Sequence, residues 1–335
     1  MTRFKAFRVH TIDGKPVCRY EQLTLDELDP GPVVIKVAFS SITYKDAMAA
    51  RGVGKNVRTG RPCVTGVDLS GEVVSSEDPR FTKGQLVAVT NYKLGVEQDG
   101  GYAEYARVPG DWIVPLPAGI TPYEAMGLGT SGLTAALAVQ RLEAAGLKPA
   151  DGAVGITGAT GGVGSLAVNM FAQRGFKVVA ISGKREQEPF LREIGADSVL
   201  ARDAFLGDKA PLSPSLFAGA LDNVGGVFFD RLAAKMHPNG KMAVAGMAVG
   251  AEVTTTVLPM ILRSVDILGI NVSRQLRMPE RVRLWHRMAT DLKPGKLAII
   301  SRPIPFEDLD RTMDRFFDAS VVGRIVVEVG SRAPK

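Results

Sequence analysis

Two stretches of this chain carry side chains that could do chemistry. In Ser41-Ile42-Thr43-Tyr44-Lys45-Asp46 a hydroxyl, a phenol, an ammonium and a carboxylate follow one another directly after the apolar run Val33–Phe39. An ordinary tyrosine, with a pKa of ~10, is a hydrogen-bond or proton donor at neutral pH. The plainer alternative is a tyrosine that only packs, with Lys45 and Asp46 on the surface. In Ser182-Gly183-Lys184-Arg185 a hydroxyl and two cations close the apolar run Lys177–Ile181. That set suits a phosphate ester, which a carboxylate at the same place would repel. Other chemistries lack their residues. The histidines are His10, His237 and His286, none of them within ligand spacing of another, and Cys18 and Cys63 form no CxxC pair. No serine stands in a G-x-S-x-G elbow.

The element that must position the second stretch begins at Ala153. The apolar run into Ile156 meets Thr157-Gly158-Ala159-Thr160-Gly161-Gly162-Val163-Gly164 and passes into Ser165–Phe171, which has helical apolar spacing. Strand, glycine turn and helix, followed by a second strand after Gly175, open a dinucleotide-binding βαβ unit. Glycines let backbone N–H groups approach a pyrophosphate at the positive end of the helix. In such units an acid at the end of the second strand holds the ribose 2′-hydroxyl of NAD. Ser182, Lys184 and Arg185 stand there instead, so the spacing predicts NADP. Asn223 follows the fourth strand, where ligands of parallel sheets collect, and is a further cofactor or substrate candidate.

The rest of the chain frames these two stretches. Phe4–His10, Val33–Phe39, Val67–Val74, Leu86–Thr90 and Tyr102–Val108 are short β-favouring runs between turn residues, as in a compact, partly closed barrel. Val114–Gly119 reads as a hinge, and Thr130 or Ser131 as the cap of a helix running to about Ala145. Strands are expected at Ala153–Thr157, Lys177–Ile181, Ser198–Leu200, Phe217–Leu221, Met242–Ala245 and Val265–Ile270, with helices between most of them: a doubly wound α/β sheet. His237–Gly240 reads as a turn. Helices around Arg281–Leu292 and Phe306–Phe317 and a strand at Arg324–Val329 close the chain. The 335 residues, 45% hydrophobic and 23% charged, suggest a two-domain soluble protein. A net charge of +6 without Lys/Arg blocks speaks against nucleic acid as partner. No apolar run nears the ~20 residues of a membrane span, and cysteine usage suits a reduced, cytoplasmic setting.

Taken together, Tyr44-Lys45-Asp46, Gly66-Val67-Asp68, Glu77–Phe81, Gly110-Asp111-Trp112, Gly129–Ala135, Thr157–Ser165, Ser182-Gly183 and Ile261-Leu262-Arg263 resemble the medium-chain dehydrogenase/reductase superfamily. Within it the chain is similar to the YhdH/YhfP-type quinone oxidoreductases, a branch that includes NADPH-dependent acrylyl-CoA reductases. The resemblance covers essentially the whole chain. It implies a GroES-like β-barrel catalytic domain (1–120), a Rossmann NADP-binding domain (121–272) and a C-terminal segment (273–335) that returns to the catalytic domain. It further implies a zinc-independent, homodimeric reductase that uses NADPH to reduce an activated alkene, most readily a short enoyl-CoA. Tyr44 is then expected at the cofactor and active site, with Thr43 beside it and Asp46 in the adjoining pocket. Thr160, Gly161, Gly162, Val163 and Gly164 are expected at the pyrophosphate, and Ser182, Lys184 and Arg185 at the 2′-phosphate. Asn223, Ala245, Gly246, Met247, Ile270, Asn271 and Arg324 are expected to line the cofactor site. Relatives commonly have Asn where this chain has Thr43, which offers one donor with a shorter reach. Two other functions stay open: reduction of quinones or free α,β-unsaturated carbonyls, and a non-catalytic NADPH-binding protein. Lys55, Arg58, Arg61, Arg274 and Arg277 are candidates for gripping CoA phosphates.

Overall fold

A computed structural model of the chain describes residues 2–53, 57–273 and 275–330. In chain order its strands are β1 (Phe4–Ile12), β2 (Lys15–Leu23), β3 (Val33–Ile42), β4 (Cys63–Val64), β5 (Asp68–Ser76), β6 (Leu86–Thr90), β7 (Tyr105–Val108), β8 (Ile113–Pro115), β9 (Val154–Thr157), β10 (Val178–Ser182), β11 (Ser198–Ala201), β12 (Phe217–Asp222), β13 (Met236–Val244), β14 (Asp266–Gly269), β15 (Ser301–Pro305) and β16 (Arg324–Glu328). They fall into two compact units. One comprises residues 1–130, 273–289 and 301–335, the other residues 131–272 and 290–300.

In the first unit β3 is the organising strand. It pairs antiparallel with β5 along its length, with β7 at its start and with β16 at its end, within a sheet ordered β15-β16-β3-β5-β6-β8. A second sheet, β2-β1-β4, packs with it around Phe7, Ile35, Val37, Leu69, Val89 and Tyr102. β2 has no counterpart among the expected strands. Its hairpin with β1 turns on Asp13 and Gly14, both at positive φ, which brings Ile12 opposite Lys15. The helix α1 (Tyr44–Arg51) follows β3 directly and ends at Gly52 in the left-handed region.

The helix expected from Thr130 or Ser131 to about Ala145 is the second part of a longer, kinked helix. Helix α2 (Pro122–Ala144) begins eight residues before Thr130, where Glu124 accepts the N–H and hydroxyl of Thr121, and it breaks at Gly129 (φ 49°, ψ −152°). A Cβ at Gly129 would meet the Arg324 guanidinium at 2.9 Å and the Ser41 hydroxyl at 3.1 Å, so only glycine lets the chain pass there. Thr130 turns its hydroxyl to Asp68 Oδ1.

The second unit is a parallel sheet ordered β11-β10-β9-β12-β13-β14, the doubly wound order in which the chain reverses between β9 and β12. Its apolar faces pack around Phe217, Leu232, Met236 and Met242. α3 (Gly162–Gln173) follows β9. The turn expected at His237–Gly240 lies inside β13, where the register slips between Phe217 and Gly219 and Asn239 takes φ 60° to absorb the extra residues. β14 is the last strand of this sheet and has no further pairing among the described residues. No helix among the described residues is long and apolar enough to cross a membrane.

Candidate active site

In the first unit the sequence around Tyr44 folds into a tightly bonded helix start. Thr43 precedes α1 in extended conformation, and Asp46 in the first turn reaches back to it. Asp46 Oδ2 accepts the Thr43 N–H at 2.8 Å and the Thr43 hydroxyl at 2.7 Å, while Oδ1 accepts the Val67 N–H at 2.9 Å. Asp46 is 1% exposed, which corrects the surface alternative for this residue. Burial, aided by the nearby Asp68 carboxylate, pushes its pKa up to about 6 against the pull of the Thr43 and Val67 donors. Tyr44 itself is 41% exposed. Its ring leans on Phe317 at 5.8 Å between centroids, and its hydroxyl has no partner among the described residues. The fold therefore presents a free phenol on a rigid base.

Under that base lies a second buried carboxylate. Asp68 accepts from the Ser41 hydroxyl (2.9 Å), the Thr130 N–H (2.8 Å) and the Thr130 hydroxyl (2.5 Å), with the Arg324 guanidinium at 3.9 Å. Arg324 is 2% exposed and donates to the carbonyls of Ile42, Met126 and Gly127 and to the Ser41 hydroxyl. This bonding makes it an internal organiser of the loop below Tyr44. Tyr102, also buried, donates to the Ser41 carbonyl at 3.0 Å, and burial raises its pKa well above the ordinary phenol value.

Of the proposed phosphate-gripping cations, Lys55 and Arg274 lie outside the described residues. Arg58 and Arg61 both pair with the buried Asp29, and Arg58 also pairs with Asp99 at 2.7 Å, so they are engaged internally. Arg277 is exposed.

The second unit gathers the remaining candidates at the carboxyl ends of its strands. Gly158, at φ 59°, turns the chain out of β9, and Gly161 leads into α3 in extended conformation. The N–H groups of Gly162, Val163 and Gly164 open a twelve-residue helix, whose first turn has no internal acceptors for them. A Cβ at Gly164 would meet the Ala159 Cα at 2.8 Å, so helix and turn approach as closely as glycine permits. Thr160 is buried in the turn. Asn223, just past β12, donates its side-chain N–H to the Thr157 carbonyl and its backbone N–H to the Thr157 hydroxyl, both at 2.9 Å. Its Oδ1 is buried with no partner among the described residues. Gly246 packs against the Asn223 backbone, and the Ala245 N–H is held by the Asp222 carbonyl at 2.8 Å. Met247 projects outward, and Ile270 and Asn271 follow the end of β14.

At the end of β10 the Ser182 hydroxyl accepts the Lys184 N–H at 3.0 Å, which leaves its proton to donate elsewhere. Arg185 stands exposed beside it. The structure adds a cation that the sequence reading missed. Parallel pairing sets Ser182 against Ala201, and the Arg202 guanidinium lies over Gly183, 3.3–3.4 Å from where a Cβ would be. Its place after the third strand was legible; its reach across to the second was not. Asp203 lies 3.5 Å from Arg202 and 4.0 Å from Arg185. The glycine turn, the open helix start, the orphaned Asn223 acceptor and this cationic strand end fit a phosphorylated dinucleotide. Among the described residues no three His, Cys, Asp or Glu side chains converge where they could hold a metal ion. The donor set for zinc is therefore not met there.

Comparison with known proteins agrees with this geometry. Residues 29–118 match the family described as alcohol dehydrogenase GroES-like domain, and residues 162–287 the one described as zinc-binding dehydrogenase. The chain belongs to the medium-chain dehydrogenase/reductase superfamily and is an oxidoreductase with a GroES-like domain and a Rossmann domain. Its similarity is high to one branch. It is 43% identical to YhfP of Bacillus subtilis, provisionally named a quinone oxidoreductase, over 98% of this chain and 99% of that protein. It is 39% identical to the acrylyl-CoA reductase AcuI of Ruegeria pomeroyi, over 95% and 96%. The yhdH oxidoreductase of Salmonella enterica, solved in complex with NADP, superposes with a TM-score of 0.94 at 40% identity, covering 97% of this chain and 100% of that one. The structure of B. subtilis YhfP with NAD bound also gives 0.94, at 42% identity, covering 98% and 100%.

Proposed function

We propose that the chain is an NADPH-dependent reductase of activated carbon–carbon double bonds whose substrate is acrylyl-CoA or another short enoyl-CoA, released as the saturated thioester. The observation that carries this reading is the Tyr44 phenol, exposed and without a partner among the described residues, on its buried Thr43–Asp46 base. Kinship to an acrylyl-CoA reductase supports the substrate class, and kinship to a protein crystallised with NADP supports the cofactor.

NADPH, when bound, supplies the hydride that reaches the β-carbon of the alkene. The chain does the rest. The N–H groups from Gly161 to Gly164 hold the pyrophosphate. Ser182, Lys184, Arg185 and Arg202 hold the 2′-phosphate through charge-assisted bonds. Asn223, Ala245–Met247 and Ile270–Asn271 floor the other half of the dinucleotide. Tyr44 donates a hydrogen bond to the substrate carbonyl oxygen as enolate charge develops there, and water supplies the proton for the α-carbon. Asp46 does not touch the substrate; it fixes Tyr44.

Assembly as a homodimer belongs to the same reading. Among the described residues the outer edge of β14 has no strand partner, and Val257, Ile261 and Leu262 just before it and Ile267 within it are exposed. Pairing β14 with its two-fold copy satisfies the edge and covers these side chains.

A second reading, reduction of a quinone or a free α,β-unsaturated carbonyl, is favoured by the 43% identity to YhfP. Following NADPH oxidation with acrylyl-CoA, crotonyl-CoA and a quinone side by side tests both. Fastest turnover with acrylyl-CoA supports the first reading, and quinone turnover without thioester turnover replaces it by the second.

A further inference from the structure

The carboxylate of Asp222, the last residue of β12, is fully buried at the carboxyl end of the parallel sheet. Its Oδ1 accepts the Thr157 hydroxyl at 2.7 Å, the Val224 N–H at 3.0 Å and the Gly225 N–H at 3.2 Å, and its Oδ2 accepts the Gly225 N–H at 3.2 Å. The Thr157 hydroxyl accepts the Asn223 N–H, so its own proton is committed to Asp222. Every partner donates, which is the bonding set of a carboxylate rather than a carboxylic acid. Among the described residues no lysine, arginine or histidine pairs with it. Asp222 is thus a buried negative charge met only by neutral donors.

Its place in the sheet says which part of a dinucleotide feels that charge. The cations that suit a 2′-phosphate stand at β10 and β11, and the pyrophosphate turn follows β9. The adenosine half therefore lies toward β11, and the nicotinamide half toward β12 and β13. Reduction of the alkene moves two electrons and one hydrogen from the nicotinamide to the β-carbon, while water protonates the α-carbon. The ring left behind carries a unit positive charge that the reduced ring lacks.

We propose that Asp222 is an electrostatic residue of the reaction: its buried charge favours the oxidised, cationic nicotinamide over the reduced one and so makes bound NADPH a stronger hydride donor. This rests on the NADPH reading above. At an effective dielectric constant of about 20, one uncompensated charge within about a Debye length changes an equilibrium on the order of tenfold. A residue that only ties β9, β12 and the following turn together would act on both cofactor forms alike.

The test is titration of the purified protein with NADP+ and with NADPH, before and after Asp222→Asn. The substitution is expected to weaken NADP+ about tenfold more than NADPH. Equal changes for the two forms, whether large or nil, overturn the proposal. Thr157→Val keeps the charge and removes one donor, so it decides the matter if Asp222→Asn does not fold. It is expected to raise the preference for NADP+ about twofold, and an unchanged preference overturns the proposal. Failure of the wild-type protein to bind NADPH at all counts against the cofactor reading instead.

Discussion

Asp46 accepts two hydrogen bonds from Thr43 through a single oxygen, one from the backbone N–H at 2.8 Å and one from the hydroxyl at 2.7 Å. Tyr44 sits between them in sequence, so its backbone is fixed while its side chain stays free. Thr43→Ala removes the hydroxyl donor from a buried carboxylate and is expected to cost about 1–2 kcal/mol of stability. Thermal unfolding of the variant checks this, and kcat should fall with it as Tyr44 loosens.

Asp46 also sets a pH dependence. Its pKa is raised in the fold from 3.8 to about 6, so the folded state favours the protonated form. The resulting stability is present below about pH 4 and is lost as pH rises toward 6. Unfolding of wild type and Asp46→Asn across that range should show the wild type losing ground to the variant between pH 4 and 6, with a constant difference above. A difference that grows in favour of the wild type over that window contradicts the assignment.

Tyr44→Phe keeps the ring on Phe317 and removes only the hydroxyl. Loss of a central donor to a developing oxyanion costs about 2.7–4 kcal/mol of transition-state stabilisation, less where water substitutes. A fall in kcat with unchanged NADPH affinity is expected. Wild-type kcat in the variant removes Tyr44 from the chemistry and leaves it a packing residue.

The cations at the ends of β10 and β11 should select the cofactor. Lys184→Ala with Arg185→Ala is expected to weaken NADPH by roughly 1.5–3 kcal/mol. Arg202→Ala, acting across Gly183, is expected to weaken it about tenfold, and NADH binding should hardly change in either case. Equal affinity of the wild type for NADPH and NADH contradicts this.

Sedimentation at micromolar concentration should find a dimer. Ile261→Asp with Leu262→Asp, on the exposed apolar face beside β14, should shift it to monomer. A wild-type monomer removes the β14 edge as an interface.

What was legible in the sequence was local. The glycine turn, the cationic strand end and the alternation of strand and helix each lie within a few residues, and the sheet order bears out the alternation. The Thr43–Asp46 spacing and the Asp13-Gly14 turn were local too, but charged residues along Lys15–Leu23 mask the alternation of β2. The rest depends on contacts far apart in the chain. Arg324 reaches Asp68 and the Met126 carbonyl, Asp222 reaches Thr157, and Arg202 reaches Gly183 only once the strands pair. Spacing along the chain carries no trace of such meetings.

Hydride is expected to pass from NADPH to the β-carbon of an activated thioester. Turnover of acrylyl-CoA with NADPH carrying deuterium at both nicotinamide C4 positions, followed by mass spectrometry of the product, tests it most directly. The expected product is propionyl-CoA carrying the label on its β-carbon and a solvent-derived hydrogen on its α-carbon. Label on the α-carbon, or product without label while NADPH is consumed, would contradict it.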